Sequence, residues 1–343
     1  MITTHVCRCA FVPLWILSAC SERPTGPANS APIESLAISG VRINEADFRA
    51  NGRFELGLVA SDAEGAPILQ TRVGIAATLE PTVGGGGAGG AGYAVTHDQT
   101  VAIMANSDVR AAILIDNSLS MTESDPRVVR ADAAKLFWET MLPASTGNQV
   151  AILDYGVSFT TGMRETRILQ PWTNSASALS AVLPSIRVGP RGTPLYESVI
   201  ETSTWISTTT SSDQNRVILL LTDGEPTGSA TRLSAINAAK AAGVTIHGVG
   251  LGPASDKSAA AKPAAVAAVR EVAEQTGGVY AAATDAIALA PIFKILATVS
   301  SRGQLIGRFR ISPVPPTGTS VRGTVSVTAG GRAQSASFSF RAP

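Results

Sequence analysis

The chain has 343 residues, 45% hydrophobic and 15% charged, with 27 Lys and Arg against 26 Asp and Glu. That composition is globular material for roughly two domains and excludes a disordered polyelectrolyte. It contains no basic run, so the counter-ion release that drives nucleic-acid binding has no source, and no nucleic-acid partner is expected.

The three cysteines, Cys7, Cys9 and Cys20, all fall within the first 20 residues. His5 and Arg8 give a weakly basic lead, and Ala10 to Ala19 form an apolar stretch too short to span a bilayer, so residues 1–19 read as an export signal. Leu17-Ser18-Ala19-Cys20 resembles the bacterial lipoprotein cleavage box. The resemblance implies that Cys20 becomes the acylated first residue of the mature chain, a membrane anchor in the bacterial cell envelope. Ser21 is not the Asp that in many enteric bacteria marks inner-membrane retention, which favours the outer membrane over the inner. A chain cut there keeps no cysteine pair, so disulfides do not stabilise it. Residues 20–32, rich in Pro, Ser, Gly and Ala, read as a flexible tether.

From residue 33 to 107 the pattern is β. Phe54, Leu56, Leu58 and Ala60 alternate with Glu55, Gly57, Val59 and Ser61, turn residues follow at Asp62 to Pro67, and a further apolar run covers Ile68 to Leu79. This spacing predicts a sandwich of the Ig-like kind. The tract Gly84 to Gly92 contains a G-x-G-x-x-G, but no strand-to-helix junction flanks it, so it reads as a flexible loop and not as a nucleotide cradle.

Between residues 109 and 301 strands alternate with helices. Apolar strands are predicted at Ala111 to Ile115, Val150 to Leu153, Val217 to Leu221 and Val244 to Val249, with a hairpin-like pair around Ser158 to Leu169. Ala133, Leu136, Phe137, Thr140 and Met141 line one helical face; Val266, Val269, Val272, Ala273 and Thr276 line another. Continuous apolar strands with intervening helices predict a mostly parallel, doubly wound α/β sheet covered on both faces.

Ligands of such sheets collect outside the carboxyl ends of the strands. Asp116-Asn117-Ser118-Leu119-Ser120 follows the first strand, Thr222-Asp223-Gly224 ends another, and Gly192-Thr193-Pro194-Leu195 enters a helix. A loop turning around an ion can aim the oxygens of Asp116, Ser118 and Ser120 inward, and Mg²⁺ takes oxygen ligands at about 2.0 to 2.1 Å in near-octahedral geometry. Each residue also has a local alternative. Ser118 and Ser120 could cap a helix starting near Arg127, Thr193 could cap one with Pro194 at its first position, and Asp223 could open a turn. Asn117 and Glu225 read as solvent-facing loop residues.

In chain order, Asp116-x-Ser118-x-Ser120, then Gly192-Thr193-Pro194-Leu195, then Thr222-Asp223-Gly224, the three motifs resemble the metal-ion-dependent adhesion site of von Willebrand factor type A domains, a doubly wound, Rossmann-like fold. The resemblance covers residues 109–301 and includes Thr276-Gly277-Gly278-Val279-Tyr280, similar to a segment preceding the last strand of many bacterial members. It implies that Ser118 and Ser120 bind the metal directly, that Thr193 binds directly or through water, and that Asp116 and Asp223 hold coordinated waters or enter the first shell. The implied ion is Mg²⁺, or alternatively Mn²⁺ or Ca²⁺. An ion held mostly by hydroxyls and water stays electron-poor and favours an incoming carboxylate, so the implied partner is a protein presenting Asp or Glu. Glu123 stands where integrin β subunits carry a further ligand, but Ser124 follows it in place of a second acidic residue.

Residues 303–343 return to β, with Leu305, Gly307, Phe309 and Ile311, then Val321, Val325 and Val327, then Ala336, Phe338 and Phe340 at alternate positions. Three strands alone bury little, so these are expected to pair with residues 33–107 into one sandwich interrupted by the α/β domain; two separate β modules are the alternative. No catalytic residue is assigned. His5, His97 and His247 are the only histidines, none pairs with a nucleophile, and no Gly-Lys-Ser/Thr phosphate loop exists. Two readings compete with metal-dependent adhesion: a purely structural envelope lipoprotein, and a metal-dependent phosphoester hydrolase.

Overall fold

A computed structural model describes residues 31–64, 66–80, 92–105, 108–157, 164–186 and 192–343. Cys20, the signal-type segment, most of the tether and the glycine tract as far as Ala91 lie outside the described residues. In chain order the elements are β1 (Ser35–Arg42), α1 (Glu45–Asn51), β2 (Arg53–Ser61), β3 (Gly74–Leu79), β4 (Ala94–Met104), β5 (Val109–Asp116), α2 (Met121–Ser124), α3 (Val129–Met141), β6 (Gln149–Val157), β7 (Arg164–Thr173) and α4 (Ala176–Val182). There follow α5 (Leu195–Thr209), β8 (Asn215–Thr222), α6 (Arg232–Ala241), β9 (Val244–Leu251), α7 (Pro263–Gln275), β10 (Tyr280–Ala283), α8 (Leu289–Arg302), β11 (Gly303–Ser312), β12 (Ser320–Ala329) and β13 (Arg332–Arg341).

The α/β body is a sheet in the order β10-β9-β8-β5-β6-β7. Every neighbouring pair is parallel except β6 with β7. Alternation along β5 feeds two cores: Ala111, Ile113 and Ile115 pack with Phe137, Trp138 and Phe293 of α3 and α8. Ala112 and Leu114 pack with Leu195, Val199, Ile236 and Val269 of α5, α6 and α7. Apolar strands are thus covered by helices on both faces, which is the doubly wound arrangement. The chain leaves β5 for β6 on one side and returns as β8 on the other. The strand order therefore reverses at β5, and the crevice outside its carboxyl end is where such a sheet accepts ligands.

The flanking strands form two antiparallel sheets, β1-β2-β11-β4 and β13-β12-β3. Chain from both sides of the α/β body contributes to each. Phe309 of β11 faces Phe54 of β2 in the register, and Val325 of β12 faces Ala77 of β3. Phe54 stacks on Phe309 at 5.4 Å within its sheet and meets Phe340 of the facing sheet at 5.0 Å. Met104, the last residue of β4, pairs with Gly303, the first of β11, so the α/β segment leaves and rejoins the sandwich at one point. The two bodies also touch along β1, where Arg42 Nη2 donates to the Gly277 carbonyl at 2.8 Å. A Cβ on Gly40 would lie 2.2 Å from Val279 Cγ1, so the strand's close approach requires glycine there.

Several details differ from expectation. The 33–107 segment is not wholly β. Asn44 caps α1 by accepting from Asp47 N, Gly52 ends it in the left-handed region at φ 67°, and Phe48 is buried against Phe340. These end signals outweigh the neighbouring alternation. Of the run Ile68 to Leu79 only β3 joins a ladder, Pro67 making an isolated bridge to Ser61. The pair expected around Ser158 to Leu169 is β7 returning along β6; residues 158–163 lie outside the described residues. On α3 the buried face includes Trp138 in place of Leu136.

Candidate metal centre

β5 ends on Asp116, which is buried, and its carboxylate is fixed from two directions. Oδ1 accepts from Ser118 N at 2.8 Å, curling the loop, and Oδ2 accepts from Thr222 Oγ1 at 2.6 Å, tying it to the end of β8. Ser118 Oγ and Ser120 Oγ lie 3.0 Å apart, and Ser120 Oγ donates to Asp223 Oδ1 at 2.7 Å. The third segment is held by reciprocal bonds: Thr193 N donates to Thr227 Oγ1 at 2.7 Å, and Thr227 N to the Thr193 carbonyl at 2.8 Å. A Cβ on Gly224 would sit 3.1 Å from Thr193 Oγ1 and 3.6 Å from Ser120 Oγ. The missing side chain leaves a small space onto which hydroxyls from two distant loops open. The structure thus gathers Asp116, Ser118, Ser120, Thr193 and Asp223 at one crevice; Ser120 is exposed and the other four are buried.

These hydroxyls are not spent on helix ends. Ser120 precedes α2 without a side-chain capping bond, and Pro194, not Thr193, occupies the cap position of α5. Asp223 Oδ2 is buried with no hydrogen-bond partner among the described residues. A buried carboxylate oxygen left bare costs free energy unless something else pairs with it. Burial, then the neighbouring Asp223 charge, push the Asp116 carboxyl up to about 6 against the pull of its Ser118 and Thr222 hydrogen bonds. Burial raises Asp223 as well, with the Ser124 and Ser120 hydroxyls and the Arg130 charge drawing it back. Two carboxyls that burden each other, beside hydroxyl oxygens, form a donor set that a hard divalent cation relieves. Among the described residues no group of three or more His, Cys, Asp or Glu gathers. The residues present fit an oxygen-seeking cation, which Ser118, Ser120, Thr193, Asp116 and Asp223 would hold.

The surroundings contain residues that motif matching did not assign. Thr222 anchors Asp116, and Tyr155 beneath it donates to the Leu221 carbonyl at 3.2 Å, its phenol raised well above the ordinary value by burial and the Asp116 charge. Asn117, expected to face solvent, is buried: its Nδ2 donates to Asp154 Oδ2 at 3.1 Å, and Arg167 Nε donates to Asp154 Oδ1 at 2.9 Å. The buried carboxylate of Asp154, within the neighbouring strand β6, draws the amide in. Glu225 is exposed, 3.7 Å from Lys262, and Glu123 is exposed on α2. His247 is buried in β9 with Nδ1 accepting from Val279 N at 3.2 Å, and burial lowers its imidazole to about 3.

The protein is thus of the open α/β class, with an oxygen-lined crevice at the reversal point of its sheet. Residues 111–225 match the family model of the von Willebrand factor type A domain, and the chain carries such a domain. No curated protein matches the chain. Among solved structures it is similar to proximal thread matrix protein 1 from the mussel byssus with a zinc-occupied MIDAS motif (14% identity, 62% of this chain and 50% of that one, TM-score 0.45). It is also similar to a von Willebrand factor type A protein from Catenulispora acidiphila (14% identity, 92% and 75%, TM-score 0.43). A third is the pilus adhesin SpaC from Lactobacillus rhamnosus GG (12% identity, 90% and 47%, TM-score 0.44). The chain spans about half the length of the mussel protein and of the adhesin.

Proposed function

We propose that this protein binds a partner protein through a Mg²⁺-type ion, with an Asp or Glu carboxylate of the partner completing the coordination. The observation carrying this reading is the gathering of Ser118, Ser120 and Thr193 hydroxyls at one crevice with two buried carboxyls, one with an oxygen left unpaired among the described residues. When bound, the ion supplies a Lewis-acidic point that attracts a carboxylate. The chain's own residues do the rest: Thr222 and Ser118 N orient Asp116, Thr227 holds Thr193, and Ser120 stands at the exposed mouth.

The reading is one of adhesion and not catalysis. His247 has its Nδ1 occupied and its imidazole held neutral by burial, which leaves it unsuited as a base for phosphoester hydrolysis. Anchoring through acylated Cys20 to the bacterial envelope, on the outer membrane, belongs to the same proposal and is supported by Leu17-Ser18-Ala19-Cys20. No helix among the described residues is long and apolar enough to cross a membrane.

Calorimetric titration with Mg²⁺ and Mn²⁺ tests the ion, and a pull-down repeated in EDTA tests its use. Wild type should bind ion and retain a partner only without chelator, and Asp116→Ala should lose both. Partner retention that survives EDTA and Asp116→Ala equally would return the protein to a structural envelope role.

A further inference from the structure

We propose that the buried Asp125–Arg130 pair is a positioning device for the metal loop, a brace behind Ser118, Ser120 and Asp223. The inference rests on the metal-binding reading above. The segment between Ser120 and Arg130 is closed twice. In α2, Glu123 N and Ser124 N donate to the Ser120 carbonyl at 2.9 and 3.2 Å, and Asp125 N to that of Met121 at 2.9 Å. The Asp125 carboxylate then reaches forward: Oδ1 accepts from Val129 N at 2.7 Å, and Oδ2 from Arg130 N at 3.0 Å and Arg130 Nη1 at 2.8 Å. One side chain therefore joins the end of the metal loop to the start of α3, whose Phe137 and Trp138 are rooted in the core.

Two features show that this joint is held against resistance. Val128, between the paired residues, has φ 57°, a left-handed conformation that a β-branched residue adopts only when its surroundings enforce it. Asp125 and Arg130 are both 0% exposed, and Arg130 Nε and Nη2 have no hydrogen-bond partner among the described residues. A buried ion pair of this kind is weak evidence for stability, because apolar side chains of similar volume commonly serve as well; fixing a register is its better-attested use. Here the register is that of the loop carrying Ser118 and Ser120.

The test is Mn²⁺ titration calorimetry on the full chain, with melting temperature in EDTA measured beside it, for Arg130→Met, Arg130→Lys and Asp125→Asn. Val325→Ala, a truncation in the sandwich core, serves as the control for lost stability. Arg130→Met should weaken Mn²⁺ binding at least tenfold, Arg130→Lys should recover part of that loss, and Val325→Ala should melt earlier with unchanged affinity. If Arg130→Met does not fold, a threefold or greater loss in Arg130→Lys and Asp125→Asn supports the brace. Affinity less than threefold weaker than wild type, or tighter, in the folded pair variants overturns it. Absence of Mn²⁺ binding by wild type removes the metal reading and the brace together.

Discussion

The two bodies of this molecule treat polar residues in opposite ways. In the sandwich, β12 alternates between inward and outward residues, so Ser320, Arg322, Thr324, Ser326 and Thr328 face out between buried Val321, Gly323, Val325, Val327 and Ala329. Among the described residues its buried polar side chains are Ser39 and Gln304, which hydrogen-bond to each other at 2.5 Å. In the α/β body, β5 is buried throughout from Ala111 to Asp116, and β8 from Val217 to Thr222. There a polar side chain cannot turn to solvent and collects at the strand ends, where each must find a partner or wait for one. Asp116 finds Thr222; Asp223 Oδ2 finds none among the described residues. The difference teaches that buried polarity in the sandwich is internally balanced, whereas at the carboxyl edge of β5 and β8 it is left open.

The largest test of this division is a chain ending at Ser301. It removes β11 from between β2 and β4, and both β12 and β13 from beside β3, so β3 and β4 keep no ladder neighbour and only the β1–β2 pair remains. An isolated two-stranded piece is marginal in water. Amide exchange should show residues 31–104 losing protection while β5, β8 and β9 keep theirs. Protection of β2 at the wild-type level would mean that the sandwich does not depend on chain from both sides.

A smaller effect comes from where the bodies meet. Glu274, on the last turn of α7, faces Arg42 of β1, Arg270 and Glu271 of its own helix, and Asp256. Burial raises its carboxyl from 4.5 to about 7, against the Arg270 and Arg42 charges. The folded protein holds that proton more tightly than the unfolded chain does. Its contribution is therefore complete below pH 4.5 and is lost as pH rises through about 7, at most about 3 kcal/mol. Glu274→Gln should flatten the dependence of melting temperature on pH over this window and melt later than wild type at pH 8. A variant with the wild-type slope would show that some other group titrates.

The open polarity of the strand ends should also be measurable as linkage. Mn²⁺ at one hundred times its Kd should stabilise wild type by about 2.7 kcal/mol, and Asp116→Ala by nothing measurable. The gain should appear as slower exchange in the Asp116–Ser124 segment and in the residues after β8, with β12 and β13 unaffected. A uniform gain over both bodies would contradict the separation between them.

The doubly wound sheet was legible because continuous apolar runs such as Ile113-Leu114-Ile115 and Leu219-Leu220-Leu221 suit only strands covered on both faces. The gathering of Asp116, Ser118, Ser120, Thr193 and Asp223 was legible because strand-end placement and motif order pointed to one sheet edge. What escaped notice depends on long-range partners. Asn117 looks like a loop residue until Asp154 and Arg167 are beside it, and Thr222 looks like part of a strand until its hydroxyl meets Asp116. The helix α1 carried a local signal, Asn44 before Glu45 and Gly52 after Asn51, which the surrounding β alternation obscured.

The smallest expected effect lies at the rim. Glu225 follows Asp223 by two residues and pairs with Lys262 at 3.7 Å, with side chains 49% and 61% exposed. Such a pair contributes under about 1 kcal/mol to folding, so Glu225→Gln and Lys262→Gln should each leave the melting temperature nearly unchanged. Their influence on an approaching carboxylate has a sign: removing Glu225 removes a like charge, and removing Lys262 removes an attracting one. For an acidic partner the first should bind about twofold tighter and the second about twofold weaker, mainly through the association rate, with both differences vanishing at high salt. The opposite signs would mean that the partner presents a basic face, contrary to the carboxylate proposed to reach the ion.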